Sequence, residues 1–435
     1  MQLKRQIGLI GGVAIVSGTM IGSGIFMSPQ YVLAYVGSPG ASMLIWFFSG
    51  VVALLAALSY TELGTIIPES GGEFTYILRI YGSFPAFFAA ITFILLLKPS
   101  SIAAMSMTIA QYVMAPFYPG CPPPQLAVKC FAAFSILVVA ITNILNVRFA
   151  LRVQVIFLVA KVFSLTFIVI GGLVEVLQSS TVIEENFNVE NAFQGTQFSL
   201  NTLGKALLQG LWSYGGWSNL NYVTEELNKP EVNLPRAVLI AISLVTTLYL
   251  LVNVSYLAVM TPKELVSSSA VAVTWNKVLG SWGWVMSVAA ALSAFGSLNG
   301  TFFSGGRVCF VAAREGHMPD ILSMAHVHRL TPSPALIFTT IISLVVLIPG
   351  DFQSIVNYFV PIVIPILVLI AAIFLVLAPI IDNPQIEYLY VALFILSGIV
   401  VYIPFIHYKL CPRVLDKLTV FLQLFLEVAP ADKNL

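Results

Sequence analysis

The sequence predicts an all-α polytopic membrane protein, on three observations. Hydrophobic residues fill 58% of the 435 positions and charged residues 9%, more apolar surface than a water-soluble fold of this length can hide. The apolar residues gather into repeated runs near the roughly 20 residues that carry a helix across a bilayer. The short alternating strands of closed barrels, the other architecture that spans lipid, are absent.

The runs fall at about 8–35, 41–67, 84–115, 126–146, 151–177, 204–227, 237–260, 280–312, 334–349, 361–381 and 386–408. Lys4 and Arg5 precede a full-length first run, so no cleavable signal peptide is expected. From Pro412 the apolar residues Leu415, Leu418, Phe421, Leu422, Phe425 and Leu426, beside Arg413 and Lys417, give an amphipathic helix on the membrane surface. The chain therefore divides into a transmembrane domain at 1–411 and an amphipathic cytoplasmic segment at 412–435.

Basic residues in short loops set orientation. Lys4, Arg5, Arg79, Arg148, Arg152, Lys229, Arg236, Arg307, Arg314 and Arg329 fall on one side if runs alternate, which makes the N-terminus cytoplasmic. The connection at 113–125, the acidic segment 178–203 and the 261–279 loop are then external. Alternation fails near the end: the Arg314 loop and the Lys409–Arg413 tail should share a side, yet three apolar runs separate them. The segment DFQSIVNYFV, 351–360, starts like a span and stops at Pro361. We read a tenth helix as missing or truncated, the alternative being an external tail.

Two runs are interrupted. GTMIGSGIF, 18–26, and LWSYGGWSN, 211–219, place glycine and hydroxyl residues at membrane depth, each glycine at a cost of about 1 kcal/mol to a helix interior. Broken helices are tolerated there only where the freed backbone meets protein or a wet cavity. One such cluster reads as close helix packing. Two of them, in runs one and six, fit inverted five-helix repeats with a ligand held at the breaks. Ser23 and Gly24 would offer donors to a carboxylate at a helix N-terminus, and carbonyls near Thr19, Met20 and Tyr214 would accept from an ammonium. The ligand is then a zwitterion, an α-amino acid, with Trp212 and Tyr214 against its side chain.

Ionisable residues inside runs are functional candidates. Lys161 lies about ten residues into run five; it either snorkels to the interface or stands in for a sodium ion between the broken first helix and run eight. Lys98 precedes Pro99, which kinks a helix and frees a carbonyl, and faces the cavity or a polar neighbour. Glu62 reads as structurally paired, and Glu225 and Glu226 as a solvated helix end. Cys130, Cys309 and Cys411 read as packed thiols; Cys121, in FYPGCPPP, is a free loop thiol or a link to another chain. No cofactor, metal or nucleic-acid partner is expected. No nucleophile-and-base pair marks an enzyme; His317, His326 and His328 read as loop hydrogen-bonding residues. Asn253 and Asn299 lie in sequons inside runs, where glycosylation is not expected.

The stretches MIGSGIFMSPQ, ELGTIIPESGGEFTYIL, FYPGC, AKVFSL, GLWSYGGWSNLNYVTEEL, LVNVSYL, AFGSLNGTFFSGGRVCFVAAREGHMP and VHRLTPSPA resemble the light chains of heteromeric amino-acid transporters, in the amino acid–polyamine–organocation superfamily. The pattern is nearest the branch handling cystine with basic and neutral amino acids; aromatic- and acidic-preferring relatives lie beside it. The resemblance implies a LeuT-like fold with helices one and six broken, and a site formed by Thr19, Met20, Ile21, Gly22, Ser23 and Gly24 with Trp212, Tyr214, Gly215 and Gly216. It implies that Lys161 occupies the place of sodium and that Cys121 is joined to a single-span heavy-chain glycoprotein. It further implies sodium-independent exchange at the plasma membrane.

Three departures shape the expectation. Gly215 stands where the nearest relatives have aspartate, which disfavours basic substrates and favours neutral, including aromatic, ones. Lys98 stands where the family generally has arginine, and the two are not interchangeable at a bidentate site. The tenth span is mostly absent. The expected protein is thus an exchanger of neutral amino acids. The alternatives are a cystine/basic or acidic amino-acid exchanger, and a transport-inactive truncated light chain acting as a partner-binding subunit.

Overall fold

The computed structural model describes residues 7–348, apart from 115–116, 119–122, 146, 179–182, 184–185, 189–190, 268–283, 328 and 330, together with residues 5, 423 and 428–430. Cys121, Cys411, His328, the runs at 361–381 and 386–408 and nearly all of 412–435 lie outside the described residues.

The chain is mostly helical, as its composition requires. Helices α1 (Leu9–Met20) and α2 (Gly24–Val36) form one span bent by 43° at its break. Pro39 in the first turn starts α3 (Pro39–Ile66), where its missing N–H needs no partner. A short amphipathic helix, α4 (Glu73–Tyr81), precedes α5 (Ser83–Met114), whose Thr92–Leu97 stretch winds as a π-helix immediately before Lys98 and Pro99. Then come α6 (Gln125–Leu145), α7 (Val147–Gln178), α8 (Leu200–Ser213), α9 (Pro230–Val259), α10 (Pro262–Ser267), α11 (Trp284–Arg314) and α12 (Ser333–Leu347). Among the described residues, five helices are long and apolar enough to cross a membrane, besides the bent pair. Strand β1 (Met324–His326) pairs antiparallel with β2 (Val428–Pro430).

Helix α1 is central, packed by α7, α9 and α11, while α2 lies on α8 and α3. The exposed face of α7 carries Ile156, Val159, Phe163, Phe167 and Ile170, an apolar stripe at helical spacing suited to lipid. Its opposite face brings Lys161 and Gln154, both buried, against α1.

Several sequence expectations need correction. Glu225 and Glu226 are buried rather than solvated. Arg314 grips Glu225 with two bonds of 2.6 and 3.1 Å, and Arg307 Nε donates to Glu226 Oε1 at 3.0 Å. The physical reason is that α11 supplies both guanidinium groups to the end of the broken sixth span. Cys130 is exposed on α6, whereas Cys309 is buried as expected. Glu62 is exposed near the end of α3, and no ion pair reaches it among the described residues. His317 makes the expected loop bond, its Nε2 lying 2.9 Å from Ser83 Oγ. Asn253 and Asn299 are buried within helices, where Asn253 donates to Tyr249 O (2.8 Å) and Asn299 to Gln154 Oε1 (2.9 Å).

Candidate functional site

Breaking α1 at Ile21–Ser23 releases carbonyls that an unbroken helix would use, and each buried acceptor needs a new donor. Gly18 O accepts from Lys161 Nζ and from Ser297 Oγ (3.1 Å). Ile21 O accepts from Lys161 Nζ (2.6 Å), Ser297 Oγ (2.9 Å) and Ser293 Oγ (3.2 Å). Met20 O accepts from the Tyr249 hydroxyl at 2.7 Å. The donors come from α7, α9 and α11, the three helices that surround α1.

Lys161 is 1% exposed, and its third contact is Ser297 Oγ at 3.0 Å. No carboxylate bonds to it among the described residues. Its charge faces carbonyl oxygens at the C-terminal end of α1, where the helix dipole favours a cation. Of the two sequence readings, the geometry is that of the cation bridging broken α1 and α11.

The second break follows α8. The Tyr214 and Gly215 amides still donate to Gly210 O (3.1 Å) and Trp212 O (2.9 Å). The chain then turns at Gly216, whose φ of +105° side chains rarely adopt, and resumes as a 3-10 turn at Asn219–Glu226. The two breaks touch. A Cβ on Gly24 would lie 2.6 Å from Ser213 Cα, so only glycine allows this approach. The Tyr249 hydroxyl, already on Met20 O, is also 3.1 Å from Ser213 O, tying both breaks to α9.

Between the breaks lies a cavity of about 210 Å³. Thr19, Met20, Gly22, Ser23 and Gly24 line one side, and Trp212, Gly215 and Gly216 another. An α-helix leaves its first N–H groups without intrahelical partners, and here the start of α2 borders the cavity. Lys98 lines it too: its ammonium donates to Asn219 Oδ1 (3.3 Å) and Ser304 Oγ (3.1 Å) and lies 4.0 Å above the Tyr222 ring. The π-turn at 92–97 shifts the helical register just where Lys98 must point inward.

Two expected site residues turn their side chains away from the cavity. Tyr214 is fully buried against Trp46 and Tyr249, with ring centroids 6.2 and 5.1 Å apart, and does not line the cavity. Ile21 is likewise buried away from it and contributes its carbonyl to Lys161. Sequence reasoning missed Tyr249, Ser293 and Ser297; the i, i+4 serines in run eight were the available signal. It also missed Glu73 and Tyr222 at the cavity wall. Beneath them the Glu225–Arg314 pair is locked to the 70 loop, with Ser70 N donating to Glu225 Oε1 (3.1 Å) and Glu225 N to Ser70 Oγ (3.0 Å).

Residues 7–420 match the model of the family described as amino acid permease. The chain belongs to the amino acid permease family. It is 44% identical over 465 residues to b(0,+)-type amino acid transporter 1 of Homo sapiens, covering 99% of this chain and 94% of that protein. The Mus musculus protein of that name is 43% identical over the same shares. Large neutral amino acids transporter small subunit 2 of Homo sapiens is 43% identical over 357 residues, 82% of this chain and 66% of that one. The amino acid permease assignment makes this chain a transport protein and not an enzyme.

Proposed function

We propose that the chain is a sodium-independent amino-acid exchanger of the plasma membrane, selective for neutral amino acids. One observation carries the reading: two helix breaks held against one cavity, with the Lys161 ammonium bonded to carbonyls released at the first. In this reading the substrate carboxylate meets the amides of Ser23 and Gly24 at the start of α2. Its ammonium meets the carbonyls of Thr19 and Met20 and of the Tyr214 turn. Met20 O retains an acceptor lone pair beside its Tyr249 bond. Trp212, Gly215 and Gly216 border the side chain. Lys161 performs with a fixed charge what a bound sodium ion would do reversibly, so no sodium gradient enters the cycle. Exchange follows if loaded forms interconvert faster than the empty one, a matter of differential binding to the two states.

The wider reading is a LeuT-like pair of inverted five-helix repeats in domain 1–411, followed by the segment 412–435. The Ile7 amide bonds to Glu226 O at 3.0 Å, and β2 pairs with β1; both contacts support one cytoplasmic face shared by the N-terminus, the loop after α11 and the tail. The Cys121 link to a heavy-chain glycoprotein is supported by the relative named as a small subunit. Cys121→Ser is expected to abolish a reducible heterodimer on a non-reducing gel, and a surviving heterodimer would refute that link.

A second reading has a specific observation behind it. The alignment to the human b(0,+)-type protein spans 465 residues against 435 in this chain, so this chain lacks residues that the relative has; a shortfall at the tenth helix would make it a transport-inactive, partner-binding subunit. Counterflow in sodium-free liposomes containing this chain separates the two. Labelled neutral amino acid accumulating only against internal amino acid supports the exchanger; a monodisperse, folded chain with no counterflow supports the subunit.

A further inference from the structure

Glu73 is the one carboxylate lining the cavity among the described residues. The residue is 7% exposed and its Oε2 is closed off from the cavity, so a ligand meets the rest of the carboxyl group. The Tyr222 and Ser218 hydroxyls reach the carboxyl, and Lys98 is near enough to interact with it electrostatically. A carboxylate has about four acceptor positions, more than these two hydroxyls fill, and unmatched buried acceptors are unfavourable, so the group keeps room for a ligand donor on its cavity side.

The rest of the cavity narrows what that donor is. Lys98 is already engaged by Asn219, Ser304 and the face of Tyr222, so its three N–H groups have partners. Among the described residues, Lys98 and Glu73 are the two charged side chains on the lining, and their charges offset each other. A cationic side chain bonded to Glu73 would bring a second positive charge towards Lys98, and an anionic one would face Glu73 itself. A neutral donor meets neither penalty. Building on the exchanger reading, we propose that the Glu73 carboxylate accepts a hydrogen bond from the substrate side chain. The site then selects neutral amino acids whose side chains end in N–H or O–H, such as carboxamides and hydroxyls, over purely apolar ones.

The test is counterflow of labelled glutamine in liposomes, competed with glutamine, norleucine, ornithine and glutamate. An unmade bond at a buried acceptor corresponds to roughly a tenfold loss of affinity or more. Glutamine is therefore expected to compete about tenfold better than norleucine and better than either charged competitor. In Glu73→Met the glutamine-to-norleucine ratio should fall to about one. Norleucine matching glutamine in the unaltered chain overturns the proposal, as does ornithine or glutamate outranking it, and these results need no variant to fold. A folded Glu73→Met that keeps the tenfold ratio overturns the assignment to Glu73. Absence of counterflow with every amino acid overturns the exchanger reading and this inference with it, whereas exchange without the ranking overturns this inference alone.

Discussion

Replacing Lys161 with methionine keeps most of the side-chain volume and deletes the ammonium. The ammonium serves Gly18 O, Ile21 O and Ser297 Oγ. Ser297 has one hydroxyl proton, which it can commit to Gly18 O or to Ile21 O (3.1 and 2.9 Å); Ser293 remains on Ile21 O at 3.2 Å. With Ser297 on Gly18 O and Ser293 on Ile21 O, each carbonyl keeps one hydroxyl donor and loses its charge-assisted bond, and bonds to charged groups are worth about 1.5–3 kcal/mol each. Folding stability should change by less, because methionine also removes the desolvation of a buried charge. Exchange should respond more strongly, since the break then loses the contact that holds it open at a fixed geometry. A loss of about 2–3 kcal/mol at the rate-limiting step is on the order of 100-fold. The assay is counterflow in choline buffer, with the melting temperature recorded on the same preparation. Lys161→Ala adds a diagnostic: it empties a carbonyl-lined space, and part of the exchange should return in sodium buffer for alanine but not for methionine. A Lys161→Met protein exchanging at the unaltered rate without sodium would refute the reasoning.

Three further outcomes are expected. Gly24→Ala places a Cβ 2.6 Å from Ser213 Cα and 2.7 Å from Ser213 Cβ, so it should force the breaks apart and reduce exchange at least tenfold in a protein that still folds; unchanged uptake would contradict the contact. Gly215→Asp adds a carboxylate beside the cavity and should raise ornithine competition relative to glutamine, with an unchanged ratio counting against Gly215 as a wall residue. His317 lies outside the spans, and burial pushes its imidazole below the ordinary value, partly offset by Ser83 O and Glu315. Its contribution to stability is therefore fully present above about pH 6.5 and is lost as pH falls towards the lowered folded value. A melting series across that window should fall less steeply for His317→Asn, and superimposable profiles would reject the linkage.

The parts of the molecule that the sequence announces are those where a residue type is out of place in lipid. Glycine clusters at 18–24 and 215–216 disclose the breaks, and a lysine deep in run five discloses the bridging cation, because neither belongs in a plain apolar helix. Less visible are residues that look ordinary until folding supplies a distant partner. Glu225 and Glu226 resemble a wet helix end until Arg314 and Arg307, more than 80 positions away, are brought to them. Tyr249 is an aromatic in the middle of an apolar run, yet its hydroxyl joins Met20 O to Ser213 O. Tyr214 errs the other way, being adjacent to a break in sequence but turned into the Trp46 and Tyr249 cluster. Glu73 sits in a stretch rich in glycine and polar residues that reads as a connection, and only the packing of α4 beneath the cavity gives its carboxylate a role.

The central claim is that one amino acid binds between the two breaks, its carboxylate at the amides of the first and its ammonium at carbonyls beside both. A density map of the chain determined with bound glutamine tests this most directly. The account predicts carboxylate density at the Ser23 and Gly24 amides, ammonium density near Thr19 O and Met20 O, and non-helical backbone at Gly22 and Gly216. Continuous helix through both positions, or glutamine bound away from them, would contradict it.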